Sequence, residues 1–88
     1  MNVESERITI RLKLFSSAKD LAGFDERLVD IPPDSKSEAV LIYLAEHYPQ
    51  FERWKNSLRI AVNMEYVDNQ HLLHDGDEVA VIPPVRGG

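Results

Sequence analysis

From Arg7 to Phe15 the chain alternates: Ile8, Ile10, Leu12 and Leu14 are apolar, and Arg7, Thr9, Arg11 and Lys13 stand between them. Successive side chains of a strand point to opposite faces, so this period of two predicts a strand with one buried face. Ser16 to Ala22 mixes polar and apolar residues over about two helical turns. Gly23 follows, where helices commonly end in a left-handed residue. Glu26 to Ile31 reads as a second strand with Val29 and Ile31 on one face. Pro32-Pro33 ends it, because proline brings no N–H to a ladder. Ser35-Lys36-Ser37-Glu38 has capping-box spacing, with a serine hydroxyl for the free helix amides and a glutamate three residues on. The helix it predicts carries Leu41, Leu44, Ala45 and Tyr48 on one face and stops at Pro49. Gln50 to Ser57 is polar around one aromatic anchor, Trp54, with room for a short helical turn. Leu58 to Val62 predicts a third strand with Ile60 and Val62 inward, and Glu65 to Val67 a short fourth. Leu72-Leu73 reads as a small apolar plug and Asp75-Gly76 as the centre of a turn. Glu78 to Ile82 is the last strand, with Val79 and Val81 inward.

Strand, strand, one long helix and then further strands predict an α+β domain, a sheet covered on one face by a single main helix. The first and last strands are the most hydrophobic and belong in its middle. Residues 1–6 are polar and expected to fray, residues 7–82 form the domain, and residues 83–88 make an extended tail that packs against nothing. The second face of the sheet is left open. Alternation puts Thr9, Arg11, Lys13 and Phe15 on it from the first strand, Arg59 and Ala61 from the third, and Ala80 and Ile82 from the last. Two readings stand: an ordinary solvated face, where exposed apolar residues are common, or a docking face for an acidic protein partner.

An 88-residue chain makes one domain with little volume for a deep pocket of its own. Fifteen acidic against ten basic side chains leave a charge of -5, which disfavours nucleic acid as a partner. The absence of cysteine removes disulfides, thiolate zinc sites and cysteine nucleophiles, and points to a cytoplasmic protein. No basic segment leads into an apolar run and no stretch is long enough to span a bilayer, so no membrane partner is expected. His71 and His74 sit beside Asp75 and Asp77 in a turn rather than on a helix, a poor arrangement for a metal, and neither a metal nor a bound cofactor is expected. The neighbouring carboxylates Asp25-Glu26 and Asp77-Glu78 point apart and make no acid–base pair. The glycines, at 23, 76, 87 and 88, form no phosphate loop, and no serine lies in a nucleophile elbow.

The other end of the chain carries chemistry. At an average usage of about 7%, two glycines at two fixed positions arise by chance roughly once in 200 chains. Here Gly87-Gly88 follow a strand of good β-formers and the pair Pro83-Pro84. The prolines favour an extended path, and the glycines have no Cβ, so a narrow channel in another protein can admit them. The result is a stiff stalk whose slim tip bears a carboxylate, a poor electrophile until activated.

These residues resemble the small subunits of molybdopterin synthases, ubiquitin-like sulfur carriers of the β-grasp fold. The resemblance covers nearly the whole chain. It is carried by Leu14-Phe15 leading to Leu21-Ala22-Gly23, by the run from Ala61 to Val67, and above all by Asp75-Gly76-Asp77-Glu78 through Ile82-Pro83-Pro84-Val85-Arg86-Gly87-Gly88. Ser16-Ser17-Ala18-Lys19-Asp20 departs from the alanines and Arg-Glu pair common in that family. The resemblance implies a mixed β-grasp sheet with one main helix on one face. It implies that a ubiquitin-activating-type enzyme uses ATP to adenylate the Gly88 carboxylate and that sulfur then makes a thiocarboxylate. The tail would enter a large synthase subunit, in a heterotetramer, where the catalytic groups reside and cyclic pyranopterin monophosphate becomes molybdopterin. Gly87 would give clearance, Pro83, Pro84 and Val85 would set the reach, and Arg86 has no assigned role, with pairing to an acidic channel wall and simple exposure both open. Phe15, Arg11, Arg59, Tyr66 and Ile82 are the residues expected at the partner interface. The alternatives are a ubiquitin-like protein modifier, a carrier for another sulfur pathway such as thiamine, or a passive binding module.

Overall fold

The alternating segment Ile8–Leu14 is strand β1, in a computed structural model that describes residues 6–84. It pairs antiparallel with β2, Glu26–Ile31, and parallel with β5, Glu78–Ile82. On its other side β5 pairs antiparallel with β3, Arg59–Val62, which forms a hairpin with β4, Glu65–Val67. The mixed sheet therefore runs β2-β1-β5-β3-β4, with the two most apolar strands inside it as expected. Helix α1 is Ser16–Ala22, and the main helix α2 is Glu38–His47, followed by a 3-10 turn at Pro49–Arg53. The α+β reading holds, as does the end of α1 at Gly23, whose φ of 87° is left-handed.

The inward row of the sheet meets α2 in one core. Ile10, Leu12 and Leu14 from β1, Val79 and Val81 from β5, and Ile60 and Val62 from β3 are buried against Val40, Leu41 and Leu44 of α2. Each such side chain contributes about 1.5–3 kcal/mol of hydrophobic stabilisation. On the helix Val40 is buried where Ala45 and Tyr48 were expected, and those two are only half-buried. Phe51, not Trp54, is the fully buried aromatic after α2, while Trp54 packs at the margin. In the apolar plug Leu73 is buried and Leu72 is exposed. Arg27, on β2, lies 4.0 Å from the centre of the Phe24 ring and its Nη1 donates to Tyr48 Oη at 3.0 Å; the neighbouring hydroxyls of Tyr43 and Tyr48 raise its pKa further, so it packs as a permanent cation.

The capping box does not form. Ser35 Oγ donates to the Pro32 carbonyl at 2.7 Å instead of capping the helix. The start of α2 is satisfied by a distant loop: Ser37 N donates to His71 O at 2.7 Å and Glu38 N to Asn69 O at 3.1 Å. The buried Ser37 hydroxyl donates to the Asp68 carbonyl. Carbonyls brought in by tertiary structure do what the local hydroxyl was expected to do.

At the far end of β5 two turns interlock. Asn63 and Met64 have φ of 50° and 74°, the two left-handed residues of a tight hairpin between β3 and β4. Asn63 is held there, since its Nδ2 donates to Asp77 Oδ1 at 3.0 Å and its Oδ1 accepts from Glu78 N at 3.0 Å. The Asp75-Gly76 turn forms as expected, with Gly76 at φ 87°. Gly76 N donates to Thr9 O at 2.8 Å, and Asp75 Oδ1 accepts from Thr9 N at 2.7 Å. These bonds fix where β5 begins relative to β1, and so where it ends.

Candidate docking face and tail root

The sheet's geometry sets where the chain leaves it. Val81 lies opposite Leu14 and Ile82 opposite Arg59, so β5 ends between the end of β1 and the start of β3. One step further the register brings Leu58 across from Pro83. With no N–H to donate, the prolines stop the ladder there. Pro83 is buried and Pro84 exposed. The strand ends at Ile82, but the expectation that the tail packs against nothing fails at its root, because burying the Pro83 ring removes apolar surface from water even without a hydrogen bond. Ser17, Trp54, Ser57, Pro83 and Pro84 line a cleft of about 480 Å³ at this root. Val85, Arg86, Gly87 and Gly88 lie outside the described residues, as do residues 1–5 of the segment expected to fray.

The open face of the sheet carries the residues that alternation assigned to it. Across its middle runs a row set by register: Glu26, Lys13, Ala80, Ala61 and Tyr66. The two alanines are buried, 7% and 9% exposed, beneath the longer side chains around them. Phe15 is 45% and Tyr66 66% exposed, and Ile82 is half-buried. The Arg59 guanidinium lies 5.3 Å from the centre of the Tyr66 ring. Two of the three cations are already matched, Arg11 to Glu26 at 3.2 Å and Lys13 to Glu78 at 3.8 Å. The expected excess of positive charge for an acidic partner is therefore absent, because β2 and β5 put their own carboxylates beside the cations of β1. What remains is a face with apolar anchors, balanced charge and one arginine stacked on a tyrosine.

Among the described residues no group of three or more histidine, aspartate and glutamate side chains could hold a metal ion. His71 and His74 are exposed in separate parts of the loop. No helix among them is long and apolar enough to cross a membrane. The arrangement presents a surface and ends the central strand at its edge in the proline pair. Sequence reasoning missed two of its parts, the burial of Pro83 and the place of Trp54 beside the prolines. The signal for the first was there, since continuing the antiparallel register from Arg59–Ile82 puts the apolar Leu58 against Pro83.

Comparison with known proteins adds four findings. The model of the ThiS family matches residues 12–88. The molybdopterin synthase sulfur carrier subunit of Dictyostelium discoideum is 36% identical over 81 residues, covering 89% of this chain and 94% of the relative. Among solved structures, the small archaeal modifier protein 1 of Methanosarcina acetivorans superposes with a TM-score of 0.77 at 26% identity, over 94% of this chain and 99% of that one. A ubiquitin from Caldiarchaeum subterraneum superposes with a TM-score of 0.64 over 94% of this chain and 100% of that one, and at 13% identity it shares the fold alone.

Proposed function

Because this chain belongs to the ThiS family and has the ubiquitin-like β-grasp fold, we propose that it is a sulfur carrier serving as the small subunit of a molybdopterin synthase. One observation carries the reading: the family match runs through Gly87-Gly88, on a tail rooted at the end of the central strand. In this reading an adenylating enzyme joins the Gly88 carboxylate to the AMP of ATP and releases pyrophosphate. A sulfur donor at the sulfide level then displaces AMP, replacing one carboxylate oxygen by sulfur. The thiocarboxylate passes its sulfur to cyclic pyranopterin monophosphate held by a large subunit, and two loaded carriers complete the dithiolene. The catalytic groups belong to the partners, and this chain contributes reach, clearance and the reacting end. Phe15, Tyr66 and Ile82, with Arg59, form the edge that meets the large subunit.

A second reading is favoured by the Methanosarcina acetivorans neighbour, which is named a modifier protein. A modifier would use the same activated glycine to form an amide with a lysine of another protein. Intact-mass measurement after incubation with an adenylating enzyme, ATP and a sulfur source separates the two. Exchange of one oxygen for one sulfur is the expected result, and adducts on lysines in its place would favour the modifier. The attacked carbon must come within about 3–3.5 Å of its attacker. A chain lacking Gly88 is shorter by up to about 3.5 Å, so it should stay unloaded. Full loading of that truncated chain would sink the carrier reading.

A further inference from the structure

We propose that Trp54 is a positioning residue for the tail: its indole, with Ser17 and Ser57, brackets the Pro83-Pro84 root and sets the direction in which the chain leaves β5. The inference rests on the carrier reading above and names a residue that acts on the reacting end through the proline pair. Beyond Ile82 neither proline has an N–H to donate to a neighbouring strand, so the backbone's hold on the chain is weakened there. The side chains placed to add lateral grip are those lining the cleft around the prolines, Ser17, Trp54 and Ser57.

Trp54 is built to be a fixed wall. Its N donates to Phe51 O at 3.0 Å, and its carbonyl accepts from Ser57 N at 2.7 Å and Leu58 N at 3.1 Å. Its ring meets that of Phe51 edge-on, with centroids 6.4 Å apart and planes at 74°. Phe51 is fully buried, so the indole is anchored through it to the core. A second cleft, lined by Leu21, Pro49, Gln50 and Arg53, also has Trp54 in its wall, so the indole stands as a partition between the two. The ring packs at the margin of the core and shares the lining of the cleft with the prolines at the root of the tail.

The leverage is large. Four residues follow Pro84, and extended they reach about 14 Å. A root free to swing leaves fewer chains presenting the tail to an enzyme at any moment, which raises the carrier concentration needed without slowing a chain once bound. Prolines transmit such a swing because their φ is fixed.

The test compares the full chain with its Trp54→Ala, Trp54→Leu and Trp54→Phe variants. Trp54→Leu keeps apolar bulk against Phe51 and serves as the folded variant should Trp54→Ala unfold. With the adenylating enzyme, loss of the indole should raise KM for the carrier about tenfold and leave kcat nearly unchanged, and Trp54→Phe should recover most of the loss. Combined with Pro84→Ala the losses should be less than multiplicative, since both act on one joint. Carbon relaxation of Pro84 in the free chain should show faster motion in Trp54→Leu than in the parent at an equal folded fraction. A parent-like KM in a folded Trp54→Leu chain overturns the assignment. A parent chain that is never loaded would instead sink the carrier reading, and the bracket would then stand or fall on the relaxation of Pro84 alone, with unchanged motion overturning it.

Discussion

Met64 is the most exposed large apolar residue described, 89% open to water, and it sits at φ 74°. An L-residue in that region carries roughly 1–2 kcal/mol of backbone strain, and an exposed methionine offsets little of it by packing. Met64→Gly should therefore stabilise the domain. After the added freedom of glycine in the unfolded chain, the gain is about 0.5–1 kcal/mol, a rise of several degrees in Tm. Gly76 is the opposite case. At φ 87° a Cβ added there would meet nothing within 4 Å, so the cost of Gly76→Val is argued from backbone strain. A loss of about 1–2 kcal/mol in thermal or denaturant unfolding is the expected outcome. Because Gly76 N bonds to Thr9 O, the same change should also loosen the start of β5. A Gly76→Val chain that melts like the parent would show that the turn can be rebuilt without its left-handed residue.

The start of α2 separates what was legible along the chain from what was not. Local capping predicts that Ser35→Ala weakens the helix, whereas the observed contacts make Ser37 the important serine. Its hydroxyl is buried and donates to Asp68 O, so Ser37→Ala should cost about 1 kcal/mol. Ser35→Ala should cost only a few tenths, since its bond to Pro32 O is exposed. Denaturant unfolding of the two variants ranks them. Strands were readable because period two is a strong local signal: β2, β4 and β5 begin and end where alternation and the prolines place them, and β3 is one residue shorter. The exchange of Trp54 for Phe51 as the core aromatic was not readable, because a short turn points neighbouring aromatics in directions that only the packed core decides. The neutralisation of Arg11 and Lys13 was equally hidden. It depends on β2 and β5 flanking β1, a matter of strand order and register rather than of any one segment.

Considered as one body, the domain separates two jobs. One end of β5 is tied down by Asn63, Asp75, Asp77 and Thr9, and the other releases the tail beside Trp54. Between them lies the open face, and in the proposed contact with a large subunit its balanced charge would leave the apolar residues as the main source of affinity. Ile82→Asp should weaken that binding by about 2 kcal/mol, or roughly thirtyfold in Kd, while the free domain keeps its fold. Titration calorimetry with the large subunit measures it, and an unchanged Kd would remove Ile82 from the interface. The strand order has one more consequence, which concerns how the molecule comes to exist. β5 is the last strand along the chain and the middle one in the sheet, and its parallel neighbour β1 is the first. Without β5 the β2-β1 and β3-β4 hairpins share no ladder, and isolated two-stranded hairpins are marginal in water. Folding therefore waits on a closure between the two extremes of the sequence, a non-local step that is slow and cooperative. The same closure ends at Ile82 and seats Pro83. A nascent or partly unfolded chain can hold every residue of the tail and still have nothing to aim it with, so an activating enzyme that needs an aimed tail would pass over chains that have not finished folding.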